Sequence, residues 1–233
     1  METLHGRLEG VAPGRAMLLT RELSVTVDEL WRWITESERT ARWYGPWRTT
    51  DGMDPRVGDE VLVTMSEEES DQESGMRIEA CQPPALLALA STAPAPFDWP
   101  ITLTCEPRTA GSAITLRHGR IPADVPLGDL GAGWEFYLAR LVAAVEGTHS
   151  PGFEECLATY GAQYAALGLA SAHSAPCRAR GATWCTLRPD TRRDEQDEAF
   201  RAVCGARCVG RDLPSRAAQP WRSRSASCAS IWL

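Results

Sequence analysis

Lysine is missing from this chain: all 24 basic residues are arginine, the bias of a GC-rich genome. The net charge of −7 argues against nucleic acid as a partner. Long apolar runs are missing too, and none approaches the ~18 continuous apolar residues that a membrane span needs. The opening METLHGRLEG lacks the basic segment and apolar run of a secretory signal. A cytoplasmic location is therefore expected, with Cys81, Cys105 and Cys156 as reduced thiols. There is no P-loop, no GxGxxG after a strand, no serine elbow and no HExxH pair. These absences exclude the common nucleotide-binding, serine-hydrolase and zinc-protease designs, and no cofactor or metal is expected. They leave open a pocket whose residues are dispersed along the chain.

What is present divides into two pieces. Residues 1–170 carry 13 arginines against 25 acidic residues, whereas residues 171–233 carry 11 against 6. Only three of the eight cysteines precede residue 171. Leu, Ile, Val, Met and Phe make up 7 of the last 63 residues, too few to offset the entropy of ordering that segment. The expectation is one folded domain over 1–168 and a low-order Arg/Ser/Cys-rich tail over 169–233, whose composition is that of GC-rich codons read in a shifted frame. Cys204 and Cys208, with Cys177, Cys185 and His173, lack the second tight pair of a structural zinc site.

Within the first piece, HGRLEGV and RAMLLTREL read as a hairpin around APG. Thr26 with Glu29 forms a capping box. Val27, Leu30, Trp31 and Ile34 then fall at i, i+3, i+4 and i+7, one buried helix face. A second box, Thr35 with Glu38, restarts a short helix that Gly45-Pro46 ends. Period-2 runs follow. Val61, Val63 and Met65 share a face; so do Met76, Ile78 and Ala80; then Ile101, Leu103 and Cys105; then Ile114, Leu116 and His118. ALLALAST continues the series after Pro83-Pro84. Such strands joined by short turns form an antiparallel meander with one face in and one out. The acidic run Glu67–Glu69 with Asp71 and Glu73 lacks the calcium-loop spacing and reads as a solvated loop. A helix over about 128–146 places Trp134, Tyr137, Leu138, Leu141, Ala144 and Val145 on one stripe, with Glu135, Arg140 and Glu146 outside it. This helix needs the inner face of the sheet to lie on. YGAQYAALGLA reads as one more short helix.

TRELSVTVDELWRWITESERTARWYGPW resembles the opening of bacterial proteins similar to the C-terminal domain of the activator of the heat-shock protein 90 ATPase, within the START-like, or SRPBCC, superfamily. GSAITLRHGRIP followed by GAGWEFYLARLVAAVEG resembles that family's closing strand and helix. The match runs over roughly residues 5–165. The resemblance implies an α+β helix-grip fold (START-like, Bet v 1-like), a curved antiparallel sheet gripping a long C-terminal helix. It also implies a cavity between that helix and the sheet, which the wider superfamily uses for small hydrophobic molecules.

A small hydrophobic molecule is accordingly the expected partner. The alternatives are a cyclase-, aromatase- or hydrolase-like enzyme using the same cavity, and an accessory protein acting on a chaperone ATPase. The residues expected to line the cavity are Trp43, Met65, Ile78, Leu103, Leu116, His118, Trp134, Tyr137 and Leu141. Trp134, Tyr137 and Leu141 either line it or fill the core against the sheet. Trp43, with Tyr44 and Trp47, frames the mouth or a partner surface, or packs beneath the short helices. His118 either points inward as a proton acceptor or ligand anchor, or stands half in water at the strand end, the placement the pattern favours. No acidic partner for it is apparent, so no catalytic residue is assigned.

Overall fold

A computed structural model describes residues 4–10, 14–65, 73–94 and 99–173, with side chains of the last helix described to residue 168. The first strand, β1 (Gly6–Glu9), is a short edge strand on β2 (Ala16–Leu23). Two helices follow, α1 (Val27–Thr35) and α2 (Ser37–Thr40). The chain then runs through β3 (Trp47–Thr49), β4 (Glu60–Thr64), β5 (Glu73–Gln82), β6 (Leu86–Ser91), β7 (Pro100–Arg108) and β8 (Gly111–His118). It closes with α3 (Leu127–Glu146) and α4 (Phe153–His173). Every neighbouring pair of strands is antiparallel, in the order β1-β2-β8-β7-β6-β5-β4-β3. The last strand thus pairs with the first long one, and the two early helices are inserted between β2 and β3. This is the helix-grip arrangement.

Half of the first capping box forms: Thr26 accepts from the Glu29 backbone N–H at 3.2 Å, while the Glu29 carboxylate pairs with Arg32 and Arg39. The second does not. Thr35 donates back to the Trp31 carbonyl at 2.7 Å, and α2 starts from Glu36 with no side-chain cap. A threonine that stays in the last turn of one helix is already engaged there, so it does not cap the next. The buried face of α1 also differs from its pattern. Leu30, Trp33 and Ile34 are buried, while Val27 and Trp31 are half-buried. The guanidinium groups of Arg39 and Arg42 cover the Trp33 ring at 5.2 and 5.0 Å, so α1 is shielded on a second side.

On the sheet the expected inward faces hold for β4, β7 and β8. On β5 a bulge breaks the alternation: Ile78 pairs with Leu89, but Ala80 pairs with Ala88 and Cys81 with Leu87. The extra residue changes the parity downstream, so Cys81, not Ala80, takes the place one step beyond Ile78 on the inner face.

The helix α3 is buried almost all round in its first half, including Glu135, which is fully buried and not on a wet face as its stripe implies. The reason is α4, a 21-residue helix that packs along α3 and replaces solvent there. Gly131 makes this possible: a Cβ on it would lie 2.2 Å from the Tyr164 ring. Among the described residues, no helix is long and apolar enough to cross a membrane. Residues 174–233, most of the expected tail and its cysteines, lie outside the described residues, as do Glu67–Glu69 and Asp71.

Candidate ligand cavity

A half-open cavity of about 390 Å³ lies between the inner face of the sheet and the early helices. Its floor is aliphatic: Val61 and Val63 of β4, Met76 and Ile78 of β5, Leu87 and Leu89 of β6, Ile101 and Leu103 of β7, and Leu116 of β8. Trp31, Ile34 and Thr35 of α1, Thr40 of α2, and Trp43, Tyr44, Gly45 and Trp47 after it form the opposite wall. Cys81 of β5 and Asp54, Pro55, Arg56 and Val57, from the loop between β3 and β4, complete the lining; Cys81 is exposed and Val57 is 57% exposed. The resemblance places the cavity between the sheet and the long helix α3, but only Trp134 of α3 lines it, because the rest of the inward face of α3 is packed as core. This volume lies at the lower end of the roughly 300–1,000 Å³ usual for small-molecule sites.

The segment 43–47 is held so that its indoles face inward. Ser37 Oγ accepts from the Trp47 N–H at 2.8 Å and lies 2.6 Å from the Trp47 carbonyl, to which it donates. A side chain at Gly45 would meet the Thr64 carbonyl oxygen at 2.1 Å, so only glycine lets this segment lie against β4. Three of the four lining indoles spend their N–H groups inside the protein. Trp43 donates to the Trp33 carbonyl at 3.0 Å, Trp47 to the Thr35 carbonyl at 3.1 Å, and Trp134 to His118 Nδ1 at 2.9 Å. The hydroxyls of Thr35 and Thr40 donate to the carbonyls of Trp31 and Ser37. These three rings therefore meet the cavity with carbon, and the ionic groups of the lining sit on the 54–57 loop.

Five of the nine residues expected to line the cavity do so: Trp43, Ile78, Leu103, Leu116 and Trp134. Met65, His118, Tyr137 and Leu141 are buried but are not among its lining residues. Tyr137 fills core space beside Tyr44, the two ring centroids 4.9 Å apart and edge-on, and its neighbour Phe136 lies 5.1 Å away. Leu141 lies one turn further along α3 and is fully buried. Met65 lies just past the end of β4.

His118 departs most from its expected setting. It is fully buried, not half in water, because β8 is an interior strand and His118 is paired to both Met17 and Ile101. Burial pushes its pKa down from 6.5 to about 3, so the ring is neutral near pH 7. An indole N–H only donates, so Nδ1 accepts and Nε2 carries the proton. The one lone pair a general base would use is already taken by Trp134.

Sequence reasoning named Tyr44 and Trp47 as candidate mouth residues but missed the lining residues of α1, Thr40, Gly45, the 54–57 loop, Val61, Val63, Met76, Cys81, Leu87, Leu89 and Ile101. The inward parity of Val61, Val63, Met76 and Ile101 was a usable signal, since inward residues of a cupped sheet are its cavity floor. Cys81 had none, because the bulge that turns it inward leaves no mark on the pattern. Cys81, Cys105 and Cys156 are all free thiols, and burial pushes Cys105 up to about 12.

A second group lies behind Trp134. The Glu135 carboxylate accepts from Tyr164 Oη at 2.6 Å and from the His5 N–H at 3.2 Å, and it also meets Arg21 and, at 3.2 Å, His5 Nδ1. Burial, then the neighbouring Glu135 charge, raises the Tyr164 pKa far above its usual value. Glu135 and Tyr164 are fully buried, and the Arg21 side chain is 10% exposed. The group joins β2, α3, α4 and the chain start.

Solved structures of similar shape show the same fold. The crystal structure of CalU16 from Micromonospora echinospora is 22% identical, with a TM-score of 0.55 over 70% of this chain and 95% of that one. A conserved protein of unknown function, EF2215 from Enterococcus faecalis, is 15% identical, with a TM-score of 0.54 over 70% and 91%. The protein encoded by BPP1335 of Bordetella parapertussis is 18% identical, with a TM-score of 0.53 over 70% and 91%. No curated protein sequence matches. Residues 24–146 match the family described as Activator of Hsp90 ATPase homolog 1-like protein. That match spans just over half of the chain and includes α1, the whole cavity wall and α3, so the chain belongs to the Activator of Hsp90 ATPase homolog 1-like family.

Proposed function

We propose that the chain binds a small, predominantly apolar molecule with a flat ring system in the cavity between the sheet and the early helices. The observation that carries this reading is the wall itself. Indoles of Trp43, Trp47 and Trp134 surround about 390 Å³ while their N–H groups bond to the protein. Apolar atoms lining such a cleft lack protein neighbours, and an apolar ligand supplies the dispersion contacts and takes their surface out of water. Carbon-faced rings reward a ligand by area and stacking, with few groups that demand a hydrogen bond. The polar part of such a ligand is best left near Asp54 and Arg56, the charged lining residues.

Binding is favoured over catalysis by a base because the Nδ1 lone pair of His118 accepts from Trp134. Mass spectrometry of molecules released from the purified protein tests the reading, together with calorimetric titration of flat aromatic compounds. Leu103→Trp, which fills the floor, is expected to abolish uptake while leaving the fold intact. Uptake unchanged in that variant, or no uptake by the wild-type chain, refutes it.

A further inference from the structure

His118 is a buried histidine beside the cavity but outside its lining. It stands two residues beyond the lining residue Leu116 on the same face of β8. Its ring meets Trp134 edge-on, with centroids 5.9 Å apart at 80°, and Trp99 covers it at 4.9 Å. On its other side Trp134 lies parallel to Tyr44, 6.1 Å away and 10° from coplanar. An indole in this position has two options. Its N–H either points to the cavity, where an acceptor-bearing ligand satisfies it, or it is satisfied from behind.

We infer that His118 is a positioning residue for the proposed ligand: its Nδ1 holds the Trp134 indole from behind, so that the cavity meets the ring and not the N–H. The inference rests on the cavity reading above and adds what sets its selectivity. A buried indole N–H left without an acceptor costs a desolvation penalty, so removing Nδ1 drives the ring to turn toward any other partner. The turned ring no longer lies parallel to Tyr44 and intrudes on the space a flat ligand occupies. Selection for ligands without an acceptor at that end is then lost with the geometry.

The test uses the full chain and the neutral fluorescent probe N-phenyl-1-naphthylamine. His118→Leu is expected to weaken probe binding by about tenfold or more. His118→Asn, whose Oδ1 takes the place of Nδ1, is expected to restore most of it. In a Trp134→Phe background, which has no N–H to hold, His118→Leu is expected to change binding little. A second readout needs no ligand: the Trp134 indole proton, identified by its loss in Trp134→Phe, exchanges slowly in the wild type and in His118→Asn and fast in His118→Leu. Equal exchange in wild type and His118→Leu overturns the inference whatever the probe does. So does equal weakening by His118→Leu with and without the Trp134 indole. If His118→Leu fails to fold, the Asn variant decides alone: loss of binding and of slow exchange in folded His118→Asn overturns the inference. Slow exchange in a wild-type protein that takes up no probe overturns the cavity reading and, with it, the role in ligand selection.

Discussion

Trp134 and Glu135 are neighbours on α3, yet they serve regions built on opposite terms. On the Trp134 side the protein keeps room: aliphatic floor, indole walls and about 390 Å³ between them. On the Glu135 side it keeps none. Tyr164 packs so tightly on Gly131 that a methyl group would not fit, and its hydroxyl donates to a fully buried carboxylate. The first side forgoes packing energy and is free to accept another molecule. The second is held by directional bonds and close contact, which fix α3 against β2 and α4. A helix that borders a cavity loses part of the packing that would locate it, and here the other side of the same helix supplies the location.

The sharpest way to break this comparison is to disrupt the charged side. Arg21→Met leaves the buried Glu135 carboxylate without its guanidinium, which is expected to cost about 3–5 kcal/mol in urea unfolding. Replacing Arg21 and Glu135 together by apolar residues is expected to recover much of that loss. A single-variant cost near zero would show that the group does not fix α3.

Next comes truncation on either side. Leu141→Ala, in filled core, is expected to cost roughly 2–5 kcal/mol, and Leu103→Ala, on the cavity floor, to fall at the low end of that range. The floor residue already lacks neighbours on one side, so it has fewer contacts to lose. Equal costs in the same unfolding assay would mean the cavity is filled in solution.

Acid adds a graded effect. The folded chain holds His118 at about 3 against an ordinary 6.5, so between those values the unfolded chain binds the extra proton. The stability is intact above about pH 6.5 and is lost as the pH falls toward 3, by up to about 1.4 kcal/mol per pH unit from this residue. His118→Asn has no such proton, so its stability is expected to fall less steeply across that window. Parallel curves would remove His118 from the account. The smallest expected effect is Thr26→Ala, at about 1 kcal/mol from the lost cap of α1, with α3 unaffected.

Much of the fold was legible because its causes are local. Thr26 before Glu29 marks a helix start, and alternation at Val61–Met65, Ile101–Cys105 and Ile114–His118 marks strands with one dry face. The cavity was half legible for the same reason. Leu103, Leu116 and Ile78 point inward by parity, and Trp134 by helical stripe, but parity says nothing about whether the inside is filled. Thr35 shows the limit of local signals: it had the sequence of a cap and became the last turn of α1.

The sequence alone determined the periodicities, and so the order of helices and strands and the side of each that is dry. Neighbour spacing along one backbone is sufficient for that. Only the tertiary structure decided what meets those dry sides. It turned Cys81 inward through a bulge set by pairing with β6, and it gave Tyr137 to the core and Trp134 to the cavity. It also buried Glu135, which no pattern of apolar residues anticipates, and it decided that His118, inward by parity, is fully buried and not half in water. A polar side chain is buried when partners from distant parts of the chain satisfy it. Arg21, Tyr164 and His5 lie 114, 29 and 130 positions from Glu135 and become its partners only once β2, α4 and the chain start are assembled around α3.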